Sequence, residues 1–423
     1  MARTQARNEP QVFPIPRPED QLVGRRLMRR IDEQLGRLRT HAAHGNRTFF
    51  YDQLVVAHLL AFFNPVLHSL RRIEDAFDIP RISRLFDMRG AAKSTVADAQ
   101  RLFDPELLRP IYEDLVRRVQ MQPHDTRLDA LTRQLTAVDG SFFAVAARIV
   151  WAVYNHSRQA QPPADGSRKT GRRGLTTQGN VRAHVHFDIL RGVPEQLRLT
   201  DGQTGESRML SQMLRPEHCY VLDRGFQSYE LFGEILKVNS DFVARLRKSA
   251  RCQGVQALPL TAADLLAGVQ SDARVRIGWR ADQAPPLPLL RRVELAVEGA
   301  DQPIVLLTSC FDLPAETIAL IYKHRWQIEL FFRWLKCMAH LEHFFSESQR
   351  GMTLQLYVTL IATLLIALET GARPSVYDFA LMSLVMSGLA PLEEALATAA
   401  KRRAERERAA RRHREKAAQK DSL

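Results

Sequence analysis

Apolar residues recur at helical spacing through the first third of the chain. The period of three to four residues is clearest over residues 54–63 and 107–119, and Pro, Gly and short polar stretches separate these segments. Between them, residues 81–103 predict a helix, a turn at Arg89–Gly90 and a second helix that opens near Ser94. This outline is typical of a helix-turn-helix, although any corner between two packed helices gives the same pattern. We expect the N-terminal region to be mostly helical.

Short apolar segments with strand character follow in the middle of the chain. The first is LTAVDGSFFAV, and the others cover residues 182–190, 196–200, 219–222 and 241–246. Helical patterns alternate with these strands, so this region predicts an α/β layer. A polar stretch rich in Gly and Pro, from Asn155 to Asn180, interrupts the layer and is typical of a mobile loop. Five cations make that loop basic: Arg158, Arg168, Lys169, Arg172 and Arg173.

The last third begins with strands and ends with helices. Strand-like pieces over about residues 249–302 surround a Pro-rich break, and a further apolar strand follows at 304–310. A long helix then begins, with Asp312 as its candidate cap, and is predicted to run to about Leu341. The most hydrophobic stretch, residues 354–368, is shorter than a bilayer requires and contains Gln and Thr. It therefore predicts a buried core helix rather than a membrane span.

Charge is the compositional feature that changes this picture. The 423 residues carry a formal net charge of +13, and residues 401–423 alone hold ten basic and four acidic side chains with no apolar stripe. Such an excess favours a polyanionic partner, because each neutralised phosphate releases counterions, although a basic surface without a dedicated ligand has the same charge. The four cysteines form no C-x-x-C pair, which argues against a zinc module or a disulfide framework. The polar N-terminus lacks the core of a signal peptide, so we expect a cytoplasmic protein.

The segment IYKHRWQIELFFRWLK, residues 321–336, combines an apolar face with a polar one. On a helical wheel of about 100° per residue, four polar or aromatic side chains project within an arc of about 60°. They are Tyr322, Arg325, Glu329 and Lys336. This face suits contact with a phosphate backbone. On spacing alone, however, a solvated face with a weak i,i+4 pair between Arg325 and Glu329 explains the pattern better.

Two aspartates upstream change that balance. Asp139 begins D-G-S within a β-prone segment, and Asp223 follows the apolar strand CYVL and begins D-R-G-F-Q-S-Y. Taken singly, each is better explained as a turn residue. Taken in order with Y-x2-R-x3-E-x6-K, these motifs resemble the YREK signature group of cut-and-paste DDE transposases, the insertion-sequence-4 family. The resemblance covers about residues 80–370.

The resemblance implies an architecture. An RNase H-like α/β catalytic core would cover residues 126–345, with the strand-rich stretch 249–302 inserted between the second aspartate and the glutamate. A mostly helical domain, residues 1–125, would precede the core and bind DNA ends. Helices over residues 346–400 would pack on the core and offer a dimerisation surface, and the basic tail 401–423 would follow.

The resemblance also implies a metal site. Asp139, Asp223 and Glu329 would bind two Mg²⁺ ions, for which Mn²⁺ is expected to substitute. Hard cations prefer carboxylate oxygen, and two ions about 3.5–4 Å apart stabilise the attacking and leaving oxygens of an in-line displacement. Arg325 and Lys336 would hold phosphates, and the Tyr322 hydroxyl would bond another. For Trp326, packing at the rim is favoured over stacking on an unpaired base.

The expected partner is double-stranded DNA, namely the terminal inverted repeats of the element and the target DNA. A homodimer would hold them in a synaptic complex, associated with a bacterial-type nucleoid and not with a membrane. Two alternatives stay open. An RNase H-like nuclease that cuts without strand transfer would use the same metal chemistry. A non-catalytic DNA-binding protein derived from a transposase would be favoured by an incomplete acidic triad, whereas all three acids are present here.

Overall fold

The fold is known from a computed structural model. It describes residues 28–41, 48–64, 66–85, 90–121, 125–128, 131–145, 149–154, 178–247, 250, 252–277, 287–297, 302–338, 344–387 and 389–421. The chain divides into two compact units, one comprising residues 1–121 with 338–423 and the other residues 122–337. The predicted basic loop, Asn155 to Asn180, falls largely outside the described residues.

The described α-helices, in chain order, are α1 (Asp32–Thr40), α2 (Tyr51–Phe63), α3 (Leu70–Phe77), α4 (Pro80–Leu85), α5 (Lys93–Leu102), α6 (Arg109–Arg118), α7 (Glu206–Met213), α8 (Tyr229–Lys237), α9 (Ala262–Leu266), α10 (Ala315–His324), α11 (Trp326–Met338), α12 (Gln349–Thr370), α13 (Val376–Met386) and α14 (Leu392–Asp421). Short 3-10 turns cover Arg29–Ile31, Pro105–Leu108, Thr126–Leu128, Val150–Ala152 and Arg224–Phe226. The strands are β1 (Gln134–Val145), β2 (Val153–Tyr154), β3 (Gln178–Asp188), β4 (Val193–Asp201), β5 (His218–Leu222), β6 (Asp241–Arg245), β7 (Cys252–Ala257), β8 (Val269–Ile277), β9 (Leu290–Leu295) and β10 (Ile304–Thr308).

Helix α12 is the central helix of the first unit. It is long and apolar enough by composition to cross a membrane, and it is buried along most of its length by the protein itself. Helices α2, α5 and α6 pack against it. Its hydroxyl groups are satisfied within the helix, since Thr359 donates to the carbonyl of Gln355 at 2.9 Å and Thr363 donates to that of Thr359 at 2.7 Å. The predicted buried core helix is confirmed.

The predicted two-helix corner is present as α4 and α5. Gly90, between them, has a φ of +49°, a conformation that glycine adopts without steric cost. Arg89 lies outside the described residues. Helix α5 buries Val96 and Gln100, and the amide Nε2 of Gln100 lies 2.8 Å from Nε2 of His58 on α2. The corner is therefore tied to the helical core, and its role in DNA binding stays a prediction.

The basic end of the chain is the outer part of a continuous helix. Helix α14 begins at Leu392, well before the charged segment, and buries Leu392, Ala395 and Ala399. Nη1 of Arg403 donates to the carbonyl of Thr370 at 2.8 Å, which anchors the helix to the end of α12. Beyond this anchor the described side chains are mostly exposed. Of the two predicted states, a solvated helix or a disordered segment, the structure has the helix.

In the part of the second unit that the structure describes, ten strands form one mixed sheet. Its order is β2-β3-β1-β5-β6-β10-β9-β8-β7, and β4 also pairs with β3. Strands β1, β3 and β4 form an antiparallel meander, and β5 and β6 run parallel to β1. Helices α7 and α8 make the crossovers that parallel strands require. The order β4-β3-β1-β5-β6 with these directions is the expected RNase H-like arrangement.

The strand-rich insertion extends this same sheet. Strands β7, β8 and β9 are antiparallel to one another, and β10 joins them to the core by pairing with both β9 and β6. A buried ion pair connects Arg291 on β9 to Asp272 on β8 at 2.7 Å. The same guanidinium donates to the carbonyls of Cys310 and Leu313, at 3.2 and 2.5 Å. The insertion therefore holds the segment from which α10 starts.

The single long helix predicted from Asp312 to about Leu341 is wrong, because the structure has two helices, α10 and α11. Pro314 occupies the N-cap position of the first helix and makes no side-chain cap. The predicted cap, Asp312, instead pairs its carboxylate with Arg133 at 2.8 Å. At the junction, the amide of Arg325 donates to Tyr322 and the amide of Ile328 donates to Arg325, both at 3.1 Å. These i to i+3 bonds tighten the turn relative to an α-helix.

The junction changes which side chains the segment exposes. The helical wheel predicts a buried face of Ile328, Phe331, Trp334 and Leu335. Three of them are buried, and Trp334 is half-buried. Tyr322 and Arg325 are also buried, with only 8% and 9% of their surface exposed. The prediction of one fully presented polar face is therefore wrong in these two members, because their side chains turn into the sheet unit instead of towards solvent.

Candidate active site

Asp139 and Asp223 lie side by side in the sheet. Strands β1 and β5 are paired in parallel, with Ala137 opposite Val221. Strand β5 ends at Leu222, and Asp223 continues in an extended conformation, with φ −79° and ψ 168°. When this register is continued by two residues along both strands, Asp139 lies next to Asp223. Because β1 continues past this level and β5 does not, the two aspartates lie at the opening between these strands, where their pairing ends.

The Asp139 carboxylate is in a crowded, negatively charged environment. The amide of Gly140 donates to its Oδ1 at 2.8 Å. Burial raises the pKa of Asp139 to about 6, with help from the charges of Glu206 and Glu329 and against the opposing effects of the Gly140 amide and Arg325. The two acids near the Asp139 carboxylate, Glu206 and Glu329, thus oppose its ionisation more than the nearby Arg325 favours it.

Asp223 is connected to the helix that follows the insertion. The Tyr322 hydroxyl lies 3.5 Å from Oδ1 of Asp223, at the long end of the hydrogen-bond range. Burial raises the pKa of Tyr322, and the charge of Asp223 adds to that effect, while Arg325 and Arg245 oppose it. The tyrosine is therefore a neutral donor that faces the second aspartate.

Glu329 is held by Arg325. The guanidinium Nη2 donates to Oε1 of Glu329 at 2.5 Å. Burial works against the charge of Arg325, but Tyr322, Glu329 and Asp223 more than offset it, so the pKa of Arg325 is raised. The arginine thus occupies the middle of the three acids as their counter-charge.

The three acids share one region but are not in contact with a common point. Within the part of the chain that the structure describes, no three His, Cys, Asp or Glu side chains are close enough to enclose a metal ion. The Arg325–Glu329 pair accounts for this, because it directs the glutamate to the guanidinium rather than to the aspartates.

Helix α11 lies over the face of β1 that carries Asp139. The ring of Phe331 is 5.5 Å from that of Phe187 on β3, and Nζ of Lys336 is 5.8 Å from the ring of Phe143 on β1. Lys336 is exposed, and 49% of Trp326 is exposed at the start of the helix. About half of Trp326 is therefore packed against the protein, as the predicted packing at the rim requires, and the other half is exposed to solvent.

One acidic residue at this site was not predicted from the sequence. Glu206 is the first residue of α7, and its Oε1 lies 2.6 Å from where a β-carbon on Gly140 would stand. Burial raises the pKa of Glu206, Arg182 opposes this, and the charge of Asp223 adds to it. No sequence signal marks Glu206, because an acidic residue in the first turn of a helix is ordinary N-terminal chemistry.

Comparison with known proteins identifies the family. Residues 131–365 match the family described as "Transposase DDE domain". "Putative transposase y4zB" of Sinorhizobium fredii is 31% identical over 188 residues, 43% of this chain and about half of that relative (51%). "Probable transposase for insertion sequence element IS5377" of Geobacillus stearothermophilus is 21% identical over 322 residues, 76% of this chain and 77% of that one.

Among solved structures, the piggyBac transposase synaptic complex with hairpin DNA aligns over 90% of this chain and 80% of its own. The TM-score is 0.36 and the identity 13%, a likeness too distant to bear on function. The family match alone covers more than half of the chain and contains Asp139, Asp223 and Glu329. The chain therefore belongs to the DDE transposase family.

Proposed function

We propose that this protein is a cut-and-paste transposase that cleaves the ends of a mobile element and joins their 3′ ends to target DNA. The observation that carries the proposal is the pairing of β1 and β5, which places Asp139 next to Asp223 at the opening of the sheet. Glu329 lies on a helix that packs over the same face. Membership of the DDE transposase family supports this assignment of the three acids.

The three side chains fit a divalent cation in donor type and charge. All are carboxylates, the ligands that Mg²⁺ and Mn²⁺ prefer. Their negative charge is in excess, as the pKa of Asp139, raised to about 6 by burial and by its acidic neighbours, indicates. Two bound Mg²⁺ ions would activate the nucleophile and stabilise the leaving oxygen. For its part, Glu329 has to turn away from Arg325, a side-chain rotation, to reach the aspartates.

The residues around the acids suit a DNA backbone. Lys336 and Trp326 are accessible on α11, the first as a phosphate contact and the second as a stacking surface. Arg325, once free of Glu329, has the planar fork that binds phosphate in a bidentate manner. The Tyr322 hydroxyl is available as a donor beside Asp223. On the motif residues Tyr322, Arg325, Glu329 and Lys336, we assign the chain to the YREK group, the insertion-sequence-4 family.

The proposed partners are the terminal repeats of the element and a target duplex, held by a homodimer. The basic α14 and the net charge of +13 support contact with a polyanion. The first relative is matched over only half of its length, so the activity of the whole protein rests on the site described above.

The test of the proposal replaces Glu329 by Gln, which keeps size and helix propensity and removes the charge. Mg²⁺-dependent cleavage of the element's own ends should fall by at least about a hundredfold, because charge stabilisation of the transition state is lost. Binding of the ends in a gel shift should hold or rise, because a negative charge that faces DNA is removed. Glu234→Gln on α8, also a half-buried helical glutamate, is the matched control and should cleave normally.

Near-normal cleavage by Glu329→Gln would refute the catalytic assignment. A separate assay with pre-cut ends and a target plasmid distinguishes the nuclease alternative. Joined products are expected from a transposase, whereas cleavage without any joining would show that the protein is a nuclease of the same fold.

A further inference from the structure

Glu206 is placed at the active site by the packing of its helix. Helix α7 lies against β1 and against the turn Arg224–Phe226, the two elements that carry or follow the aspartates. Leu210, one turn further along α7, is buried in the same core cluster as Val138 and Phe226. The first turn of α7 is therefore held at the opening between β1 and β5.

Two glycines make room for the Glu206 carboxylate. Successive side chains of a strand point to opposite faces, so Asp139 faces α11 and position 140 faces the other side of the sheet. A β-carbon on Gly140 would lie 2.6 Å from Oε1 of Glu206, and one on Gly225 would lie 3.9 Å from Oε2. The Glu206 carboxylate thus lies between Gly140, which directly follows Asp139, and Gly225, which directly follows Arg224. It enters the opening from the face opposite α11.

Glu206 lies near both an anion and a cation, Asp223 and Arg182. Its charge acts on Asp139 more strongly than that of Glu329 does, and Asp223 acts on Glu206 in turn. Arg182 is the cation that faces it, but that guanidinium lies 4.0 Å over the ring of Phe142 and donates to the carbonyl of Thr204. This cation lowers the pKa of Glu206, and so does a hydrogen bond from the Gly140 amide. Burial has the largest effect and raises the pKa of Glu206, so a bound cation would stabilise its ionised form.

We propose that Glu206 is a fourth carboxylate ligand of the divalent cation site, alongside Asp139, Asp223 and Glu329. It reaches the site through the gap that Gly140 leaves in the face of β1. The inference rests on the proposed function, since it adds a ligand to the metal site assigned there. It also explains why the position after Asp139 holds glycine, because any side chain would displace the Glu206 carboxylate.

The test measures metal binding without DNA or turnover. Mn²⁺ affinity of the full-length protein is determined by calorimetric titration for Glu206→Gln, with Asp139→Asn as the reference for the assigned site. Glu206→Gln should weaken Mn²⁺ binding by about tenfold or more, the size of effect that loss of a partner at a metal site produces. The matched control is Glu230→Gln, another acid in the first turn of a helix, which is exposed and should bind Mn²⁺ as the natural protein does.

The outcomes separate this inference from the proposed function. If Asp139→Asn loses Mn²⁺ and Glu206→Gln does not, the metal site stands and Glu206 is not part of it. If neither variant loses Mn²⁺, the metal site itself is wrong. A purely structural role as a counter-ion of Arg182 predicts a lower melting temperature for Glu206→Gln with unchanged Mn²⁺ affinity. If Glu206 is a metal ligand, Glu206→Gln should have an equal or higher melting temperature than the natural protein without metal. Its melting temperature should then increase less when Mn²⁺ is added.

A second variant tests the geometry without changing any acid. Gly140→Ala places a methyl group against the Glu206 carboxylate and should weaken Mn²⁺ binding, as Glu206→Gln does. Gly205→Ala is the matched control, because nothing lies within 4 Å of the added carbon there. In a Glu206→Ala background, the methyl group at position 140 has more room and should cost less stability. Equal costs in both backgrounds would show that Glu206 does not occupy the space over Gly140.

Discussion

At the scale of single residues, Arg325 is the counter-charge of an acidic site. It is buried, it binds Glu329 directly at 2.5 Å, and its charge also acts on Asp139. A cation in this position lets several carboxylates share a small volume before metal or DNA is bound. In the proposed metal-bound state, the same guanidinium would release Glu329 to the divalent ion. Arg325 would therefore have two roles in the proposed function. It pairs with Glu329 in the free protein, and it would contact a phosphate in the DNA-bound protein.

We expect Arg325→Ala to weaken binding of the element ends and to reduce the salt slope of binding by about one phosphate contact. Arg325→Lys keeps the charge but not the planar fork, so its salt slope should stay closer to that of the natural protein. Gel shifts over a range of salt concentrations measure both effects. Arg276→Ala, which removes an exposed arginine from β8, is the control. An unchanged salt slope in Arg325→Ala would show that Arg325 is only a structural ion-pair partner.

Glu195, like Asp139, has a carboxyl group whose ionisation is unfavourable in the folded protein. Burial raises its pKa from 4.5 to about 7, the charge of Asp188 adds to this, and Gln134 and Arg215 oppose it. Because the pKa in the folded protein lies above the unfolded value, ionisation destabilises the fold. The stability that the neutral acid contributes is present below about 4.5 and is lost as the pH rises through about 7.

Glu195→Gln cannot ionise, so its advantage should appear only at higher pH. We expect the free energy of unfolding of the variant, relative to the natural protein, to increase by about 1–3 kcal/mol between pH 5 and pH 8. Urea unfolding at each pH measures the difference, with the exposed Glu230→Gln as control. A difference that does not change with pH would contradict the raised pKa of Glu195.

At the scale of elements, the junction between α10 and α11 decides what the site presents to DNA. The tightened turn at Arg325 places Trp326 at the start of a new helix, where about half of its surface is exposed (49%). Tyr322 and Arg325, on the other side of the junction, are buried. The segment thus separates into an inner pair that faces the acids and an outer aromatic ring.

We expect Trp326→Ala to weaken binding to ends with unpaired bases by about tenfold, since stacking of one base on an aromatic ring is worth about 1–3 kcal/mol. Trp326→Phe should retain part of this affinity, and fully paired duplex should be affected less. Leu266→Ala, at an exposed apolar residue of α9, is the control. Equal losses on paired and unpaired ends, accompanied by a lower melting temperature, would favour rim packing instead of stacking.

At the scale of the whole molecule, positive charge is concentrated in helix α14, whose first turns are anchored to other helices. The first turns of α14 bury apolar residues, and Arg402 and Arg406 lie over the ring of Tyr377 at 4.8 and 6.0 Å. The part beyond Arg406 holds six basic and three acidic residues. Such a segment attracts phosphates of any sequence.

We expect a chain that stops after Arg406 to keep its melting temperature, because the anchoring contacts remain. Its DNA binding should depend less steeply on salt, while Mg²⁺-dependent cleavage at saturating DNA should be unchanged. A chain that stops at Leu389 is the contrast, since it loses the buried residues of α14 and should melt at a lower temperature. If the chain that stops after Arg406 loses cleavage at saturating DNA, the basic segment belongs to the catalytic unit.

Much of the fold could be predicted because its signals are local. Alternating and helical periodicities predict strands and helices of the α/β layer and the buried α12, and the structure has them. For the basic end of the chain the sequence left a solvated helix and a disordered segment open. The spacing of Ile328, Phe331 and Leu335 likewise predicts the buried face of α11. The catalytic roles of Asp139, Asp223 and Glu329 remain predictions from motifs, supported by their placement.

By itself, the sequence indicated Asp139, Asp223 and Glu329 as candidates for the chemistry and predicted a strand, a strand end and a helix for them, because such elements are specified by a few neighbours. Only the tertiary structure decided how distant segments meet. Strand β10 joins the insertion to the central sheet, Arg325 turns inward to Glu329, and Glu206 enters beside Gly140. These arrangements depend on pairing and packing between residues far apart in the chain, for which no local periodicity exists.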